Sequence, residues 1–305
     1  MYQKILVPLD GSKLAECVLP HVDALVAGNK ETKITFLYVV QPLDVPMVNP
    51  VYKKRIETDA KSAAEKYLKK LVARAKYRGK AISRVILGKV ADGIVDYATE
   101  HQMDLMIMAT HGRSGISRWL YGSVAEKVIH ETKIPVFLVK AGDCRKVSYA
   151  KGKKIRVLVP LDGSKVAESV LPHLEELSRQ LSENRIEVIL TRVCEIFASP
   201  LSYPPPMPMT WDEYLKYETT RCKSICQDYL NEVREELIRN GLKVRTEVFE
   251  GNPAELLIDY ADKNPIDLIV MSTHGRTGVS KWAFGSIAEK VLKGARCPIL
   301  LIKAK

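Results

Sequence analysis

The sequence predicts an α/β protein built of two tandem domains, each a five-stranded parallel sheet with helices on both faces. Three observations carry this expectation. First, the chain of 305 residues repeats itself: residues 6–21 read LVPLDGSKLAECVLPH and residues 158–173 read LVPLDGSKVAESVLPH, identical at 14 of 16 positions. Second, residues 110–129 and 273–292 form another pair, identical at 13 of 20 positions. Third, short runs rich in Ile, Val and Leu alternate with stretches of helical periodicity in both copies, the pattern of buried parallel strands and their crossover helices. Units of about 150 residues bury a core without covalent staples.

In the first copy the apolar run 4–8 predicts a strand, and Asp10-Gly11-Ser12 a turn after it. Leu14, Ala15, Val18, Leu19, Val22, Leu25 and Val26 then share one helical face. Pro20 lies inside that pattern and is expected to kink the helix or end it early. Residues 33–40 form the second strand, followed by a loop bearing Pro42, Pro46 and Pro50. Next comes a long basic helix with Ala60, Ala64, Tyr67, Leu68, Leu71 and Ala75 on its buried face. A third strand ends near Leu87-Gly88, a helix spans about 91–100, and a fourth strand covers 105–109. A glycine-rich loop leads into a helix at about 123–131, and the last strand is 135–140. The polar and glycine-bearing motifs follow strands one, three and four, where open parallel sheets bind ligands.

The second copy keeps this plan. Its offset is 152 at Pro8 and Pro160 but 163 at Thr110 and Thr273. The excess lies mainly in residues 199–210, SPLSYPPPMPMT, whose five prolines suit neither a helix nor a central strand. The expected limits are 1–142 for the first domain, 143–153 for a basic linker and 154–305 for the second.

Net charge is +11 and uneven: residues 1–150 hold 24 Lys/Arg against 15 Asp/Glu, and residues 151–305 hold 23 against 21. Much of the excess lies in residues 53–80, where the lysines fall opposite the apolar stripe. No aromatic residues interleave with them in the manner of a single-strand binder, so the basic face reads as a solvated surface rather than a site for nucleic acid or membrane. No apolar run approaches membrane-spanning length, and MYQKILVPLD runs straight into a strand, so neither a membrane span nor a signal peptide is expected. The six cysteines contain no Cys-x-x-Cys and none has a cysteine at its counterpart in the other copy; the expectation is free thiols in a cytoplasmic protein.

The chemistry-bearing segment runs His111-Gly112-Arg113-Ser114-Gly115 to Gly122-Ser123, and again His274-Gly275-Arg276-Thr277-Gly278 to Gly285-Ser286. Glycine permits positive φ and a close backbone approach to phosphate, and the helix that follows offers free N–H groups and a positive dipole end. Ser123 with Glu126, and Ser286 with Glu289, equally fit a helix capping box, and the residues alone leave both roles open. There is no Gly-x-x-x-x-Gly-Lys-Ser/Thr, Gly-x-Gly-x-x-Gly, His-Glu-x-x-His or Gly-x-Ser-x-Gly, which argues against P-loop NTPases, dinucleotide dehydrogenases, zinc proteases and α/β-hydrolases. His111 and His274 have no evident nucleophile beside them and read as fixing the loop rather than as acid/base groups.

At this point the chain resembles the universal stress protein family over nearly its whole length. The resemblance rests on Val7-Pro8-Leu9-Asp10-Gly11-Ser12, Gly88-Lys89-Val90-Ala91, and Thr110-His111-Gly112-Arg113 through Gly122-Ser123-Val124-Ala125-Glu126-Lys127. It rests equally on residues 159–164, Gly251-Asn252-Pro253-Ala254 and residues 273–290 in the second copy. It implies a Rossmann-like, adenine nucleotide α-hydrolase-like fold. The family's nucleotide-binding branch carries Gly-x-x-Gly, nine residues, then Gly-Ser/Thr; both copies match except at the first glycine, which is Ala109 in one and Ser272 in the other.

By that resemblance Asp10 and Val39 contact adenine, as do Asp162 and Val193. Gly112, Gly122 and Ser123, with Gly275, Gly285 and Ser286, hold ribose and phosphates. Pro8, Gly88, Ala109, His111, Arg113 and Val124 complete the expected set in the first copy. Pro160, Gly251, Ser272, His274, Arg276 and Ile287 complete it in the second. The implied cofactor is ATP, or AMP or ADP, with Mg2+ arriving on the phosphates rather than in a protein cage. The implied assembly is an intramolecular pseudo-dimer through the last strands, 135–140 and 298–303, or a homodimer. Three functional classes follow: a nucleotide-responsive stress regulator, a slow ATPase or autophosphorylating enzyme, and a nucleotide-free interaction protein.

Overall fold

The computed structural model describes residues 2–27, 31–43, 49–74, 77, 80–111, 122–140, 153–181, 185–195, 210–274 and 285–303. The chain divides into two compact units. Unit 1 comprises residues 1–153, 176–183 and 297–303; unit 2 comprises 154–175, 184–296 and 304–305. Residues 143–152 of the expected linker 143–153 and residues 199–209 of the proline-rich stretch 199–210 lie outside the described residues.

In unit 1, β1 (Lys4–Pro8), β2 (Lys33–Val40), β3 (Ala81–Leu87), β4 (Leu105–Ala109) and β5 (Val136–Val139) alternate with helices, as the apolar runs predict. The strand order is β3-β2-β1-β4-β5, all parallel. The segment that groups with this unit from the end of the chain, Ile299–Ile302, lies antiparallel beside β5, with Leu300 opposite Phe137. β1 and β4 are apolar because they are central: Ile5, Leu6, Val7, Leu105, Met106 and Ile107 are fully buried. β3 departs from the expectation of uniformly buried strands. As an edge it alternates, leaving Ile82, Arg84 and Leu87 to solvent.

The helices follow local chemistry. Residues 15–18 make a 3-10 turn, and α1 (Leu19–Ala27) starts immediately before Pro20. The break falls there because proline has no N–H to give and its ring clashes with the preceding turn, whereas the first turn of a new helix tolerates both. α2 (Pro50–Val72) is capped by Asn49, whose side chain accepts from the Val51 amide at 2.9 Å, with Pro50 at the first position. Its Ala64, Leu68 and Leu71 are buried as expected, but Ala60 is exposed. α3 (Val90–Glu100) and α4 (Ser123–Glu131) complete the layer. Asp104 ties β1 down by accepting from the Gln3 and Lys4 amides at 2.9 and 2.8 Å.

Unit 2 repeats the plan with β6 (Ile155–Pro160), β7 (Ile186–Cys194), β8 (Lys243–Glu250) and β9 (Leu268–Ser272), parallel in the order β9-β6-β7-β8. The helix split recurs as α5 (Lys165–Glu168) and α6 (Leu171–Gln180), with Pro172 in the first turn of α6. α7 (Trp211–Arg239) opens on a capping box between Thr210 and Glu213; α8 (Pro253–Lys263) and α9 (Ser286–Gly294) follow. The expectation of free thiols fails here. Cys194 and Cys222 are joined in a disulfide, because the packing of α7 on β7 brings together two residues 28 apart in sequence.

His21 of α1 is buried beside Phe137, and burial lowers its pKa to about 4. The unfolded chain therefore takes up this proton near pH 6.5 while the fold refuses it until about pH 4. Stability should fall as pH drops through that window, by about 3 kcal/mol in the limit. His21→Gln should flatten this part of a urea-denaturation profile measured between pH 7 and pH 4; an unchanged slope would refute the assignment.

Candidate functional site

Each unit has a cleft at the carboxyl ends of its parallel strands. In unit 1 it is built from where β1 stops. The Leu9 amide still donates to the Leu37 carbonyl of β2 at 2.9 Å. Asp10 then turns the chain: its Oδ1 accepts from the Ser12 amide at 2.9 Å, and Gly11 takes a φ of 85°, which a Cβ would disfavour. The Ser12 hydroxyl accepts from the Ala15 amide and starts the 3-10 turn. Opposite, β4 ends at Ala109, and the Thr110 carbonyl accepts from the Gly122 amide at 2.9 Å, which places the start of α4 over the strand ends.

The resulting cleft has a volume of 740 Å³. Of the expected residues, Pro8, Asp10, Val39, Ala109, His111, Gly122, Ser123 and Val124 line it. Gly112 and Arg113 lie outside the described residues. Gly88 is not on the lining; its amide donates to the Val40 carbonyl at 3.0 Å and closes the end of β3 against β2. Sequence reasoning missed the wall made by Ala60, Ala63, Ala64 and Tyr67 of α2, and the contribution of Val90 and Ile94 from α3. Ala60 is exposed because it faces the cleft rather than the core. A faint signal existed: Ala60, Ala63 and Ala64 are small residues on an otherwise lysine-rich helix.

Two side chains hold the edges. The Tyr67 hydroxyl donates to Glu16 Oε1 at 3.1 Å, and burial, then the Glu16 carboxylate, raise its pKa, so it stays protonated. The His111 ring shares a 3.0 Å hydrogen bond between Nδ1 and the Thr110 hydroxyl, both residues being buried. The capping-box reading of the serine is not what the structure has. Gly122 is the N-cap, with φ −67° and no side-chain cap, and Ser123 is the first helical residue. The first turn of α4 therefore gets no N–H acceptor from a capping side chain. Positive φ is also not the reason for glycine here, and a Cβ would sit 3.5 Å from the Thr110 carbonyl oxygen, an ordinary contact.

Unit 2 reproduces the frame with the same residues. Leu161 donates to the Thr191 carbonyl, Asp162 Oδ1 accepts from the Ser164 amide, and Gly163 has a φ of 87°. Thr273 hydroxyl meets His274 Nδ1 at 3.0 Å, and the Gly285 amide donates to the Thr273 carbonyl at 2.8 Å. Gly285 again caps α9 without a side-chain bond, so Ser286 is no capping box either. Pro160, Asp162, Val193, Ser272, His274, Gly285, Ser286 and Ile287 line a cleft of 320 Å³. Gly251, with φ 127°, bonds to the Cys194 carbonyl outside the lining, and Gly275 and Arg276 lie outside the described residues.

The lining differs in character. The strand row Leu37, Val39, Gln41 becomes Thr191, Val193, Glu195. The buried Thr191 hydroxyl has no hydrogen-bond partner among the described residues. No described residue of α7 lines this cleft. In place of Tyr38, which meets Tyr67 edge-on, Arg192 lays its guanidinium over the Tyr229 ring at 4.7 Å and over the position of Gly163.

The universal stress protein family model matches residues 1–140 and again 155–303. The chain belongs to the universal stress protein family. A universal stress protein of Mycolicibacterium smegmatis is 25% identical to it over 309 residues, covering 99% of this chain and 97% of the relative. Another, from Methanocaldococcus jannaschii, is 30% identical over 151 residues, 48% of this chain and 81% of its own length. Among solved structures, a universal stress protein from Archaeoglobus fulgidus shares the fold at a TM-score of 0.70 and 20% identity, with 99% of both chains covered. Among the described residues of this family member no helix is long and apolar enough to cross a membrane.

Since neither backbone strain nor crowding demands glycine at Gly122, Gly122→Ala should leave stability within about 0.5 kcal/mol of the parent or raise it slightly. Urea denaturation measures this. A loss above about 2 kcal/mol would mean that the glycine serves the fold instead of the cleft.

Proposed function

We propose that this universal stress protein binds adenine nucleotide, ATP or its mono- and diphosphate relatives, in its two clefts and acts as a nucleotide-responsive regulator. One observation carries the reading: in both copies a glycine-capped helix start, without a side-chain cap, faces a cleft whose other lining holds the aspartate that follows the first strand and the valine of the second. A helix N-terminus with uncapped amides suits phosphate. An apolar slot beside a carboxylate suits a purine ring with its exocyclic amine. The 740 Å³ and 320 Å³ volumes lie within the range of about 300–1,000 Å³ common for small-molecule sites.

In this reading Asp10 and Val39, or Asp162 and Val193, hold the base. The amides of Ser123 and Val124, or Ser286 and Ile287, receive phosphate oxygens. Any divalent cation is held through those phosphates, since the described residues contain no cluster of three His, Cys, Asp or Glu side chains fit for one. Among the described residues, the titratable groups lining the first cleft are Asp10, Tyr38, Tyr67 and His111. Asp10 is engaged in its turn, Tyr67 stays protonated and the His111 ring is engaged by Thr110, which supports a binding role over turnover. The paired action of the two copies within one chain, which the resemblance implies, belongs to the same proposal.

Titration of the full-length protein with ATP should reveal two sites, with Gly122→Val and Gly285→Val each removing one. Failure of either copy to bind ATP saturably would sink the proposal. The sites should differ in affinity, because the second cleft is smaller and carries Glu195 where the first has Gln41; equal constants would count against that.

A further inference from the structure

We propose that Cys194 and Cys222 form a reversible thiol–disulfide site that controls access to the second cleft. The proposal rests on the reading of that cleft as a nucleotide site. The copies supply the comparison. Cys194 stands where the first copy has Val40, since Gly251 donates to its carbonyl as Gly88 donates to that of Val40. Cys222 stands where the first copy has Ala60, a register marked by Lys61-Ser62 against Lys223-Ser224 and by Tyr67 against Tyr229. Both tyrosines donate to the equivalent glutamates, Glu16 and Glu168.

Val40 and Ala60 both line the first cleft, at the junction of β2 with the α2 wall. In the second copy that junction is closed by a covalent bond. With the bond in place no described α7 residue lines the cleft, and the volume is 320 Å³ against 740 Å³. The sequence neighbours of Cys194, Val193 on β7 and Glu195 just past its end, lie on the lining itself. Beside Cys222 the Lys223–Glu250 ion pair is half-exposed on both sides and contributes little, whereas Gln227 and Tyr229, further along α7, are hydrogen-bonded to Thr246 and Glu168. Breaking the disulfide thus frees the wall that in the first copy borders the ligand space.

The chemistry is exchange with a low-molecular-weight disulfide, RSSR, as oxidant. Cys194 is 1% exposed while Cys222 is part-exposed, so the Cys222 thiolate attacks first. It forms a mixed disulfide and releases one thiolate, RS⁻. The Cys194 thiolate then attacks the Cys222 sulfur, closes the internal bond and releases the second RS⁻. The protein has lost two electrons and two protons, and RSSR has become two RSH. A dithiol reverses both steps.

The test uses the full-length protein equilibrated in oxidised glutathione or in dithiothreitol, with three readouts. Alkylation followed by peptide mapping should find Cys194 linked to Cys222 in the first buffer and both alkylated in the second. In a Gly122→Val background, which leaves the second cleft as the ATP site, oxidation should weaken ATP binding about tenfold. Cys194→Val with Cys222→Ala, the residues of the first copy, should bind as the reduced protein does in either buffer. Hydrogen exchange over the first half of α7 should accelerate on reduction. A linked pair with equal ATP affinity in both buffers, or a pair that never links, overturns the proposal. If ATP binds in neither state, exchange decides: redox-dependent exchange keeps the thiol site and removes the nucleotide reading, and unchanged exchange removes the thiol site.

Discussion

Both clefts depend on how the first strand of each copy ends. The last strand amide, Leu9 or Leu161, is held by a carbonyl of the neighbouring strand. One residue later an aspartate captures the amide two positions on, and a glycine at φ 85° or 87° turns the chain across the sheet edge. Each bond contributes only about 1 kcal/mol. Their effect is positional. They stop the strand at the carboxyl edge, open the space above it and start the next helix beside that space. The equivalent device on the far side is the glycine amide bonded to the Thr110 or Thr273 carbonyl, which aims a helix start into the same space.

With that frame constant, the copies diverge in the wall supplied by the helix after the second strand. α2 presents alanines to its cleft and keeps its lysines in solvent, so a strongly basic helix borders an apolar slot. α7 instead is pinned by a disulfide and by Arg192 stacked on Tyr229, and its described residues stand off the lining. The same fold thereby carries one wide cleft and one narrow one. The lining chemistry also shifts: apolar Leu37 gives way to the hydroxyl of Thr191, and the amide of Gln41 to the carboxylate of Glu195.

Much of this was legible beforehand. Strand and helix placement followed from apolar period, and the split of the first helix from one proline. The clefts were legible because glycines, an aspartate and a serine recur twice at matching positions. What escaped had a physical cause in each case. Ala60 fits a helical core stripe, yet it faces a cleft, and periodicity cannot tell a core from a cavity. Ser123 looked like a cap because its spacing to Glu126 is right, whereas the backbone makes Gly122 the cap. Gly88 and Gly251 sit in the recurring motif, but they serve to close an edge strand. The disulfide was invisible because neither cysteine has a counterpart in the other copy.

By itself, then, the amino-acid order determined what short-range physics can decide: the alternation of strands and helices, the turn after the first strand, and which residues recur at the strand ends. These depend on side-chain period and on backbone preferences a few residues apart. Tertiary structure alone decided the walls. Which face of α2 or α7 meets the sheet, whether two cysteines 28 residues apart come within bonding distance, and how wide each cleft remains all depend on packing between elements distant in sequence.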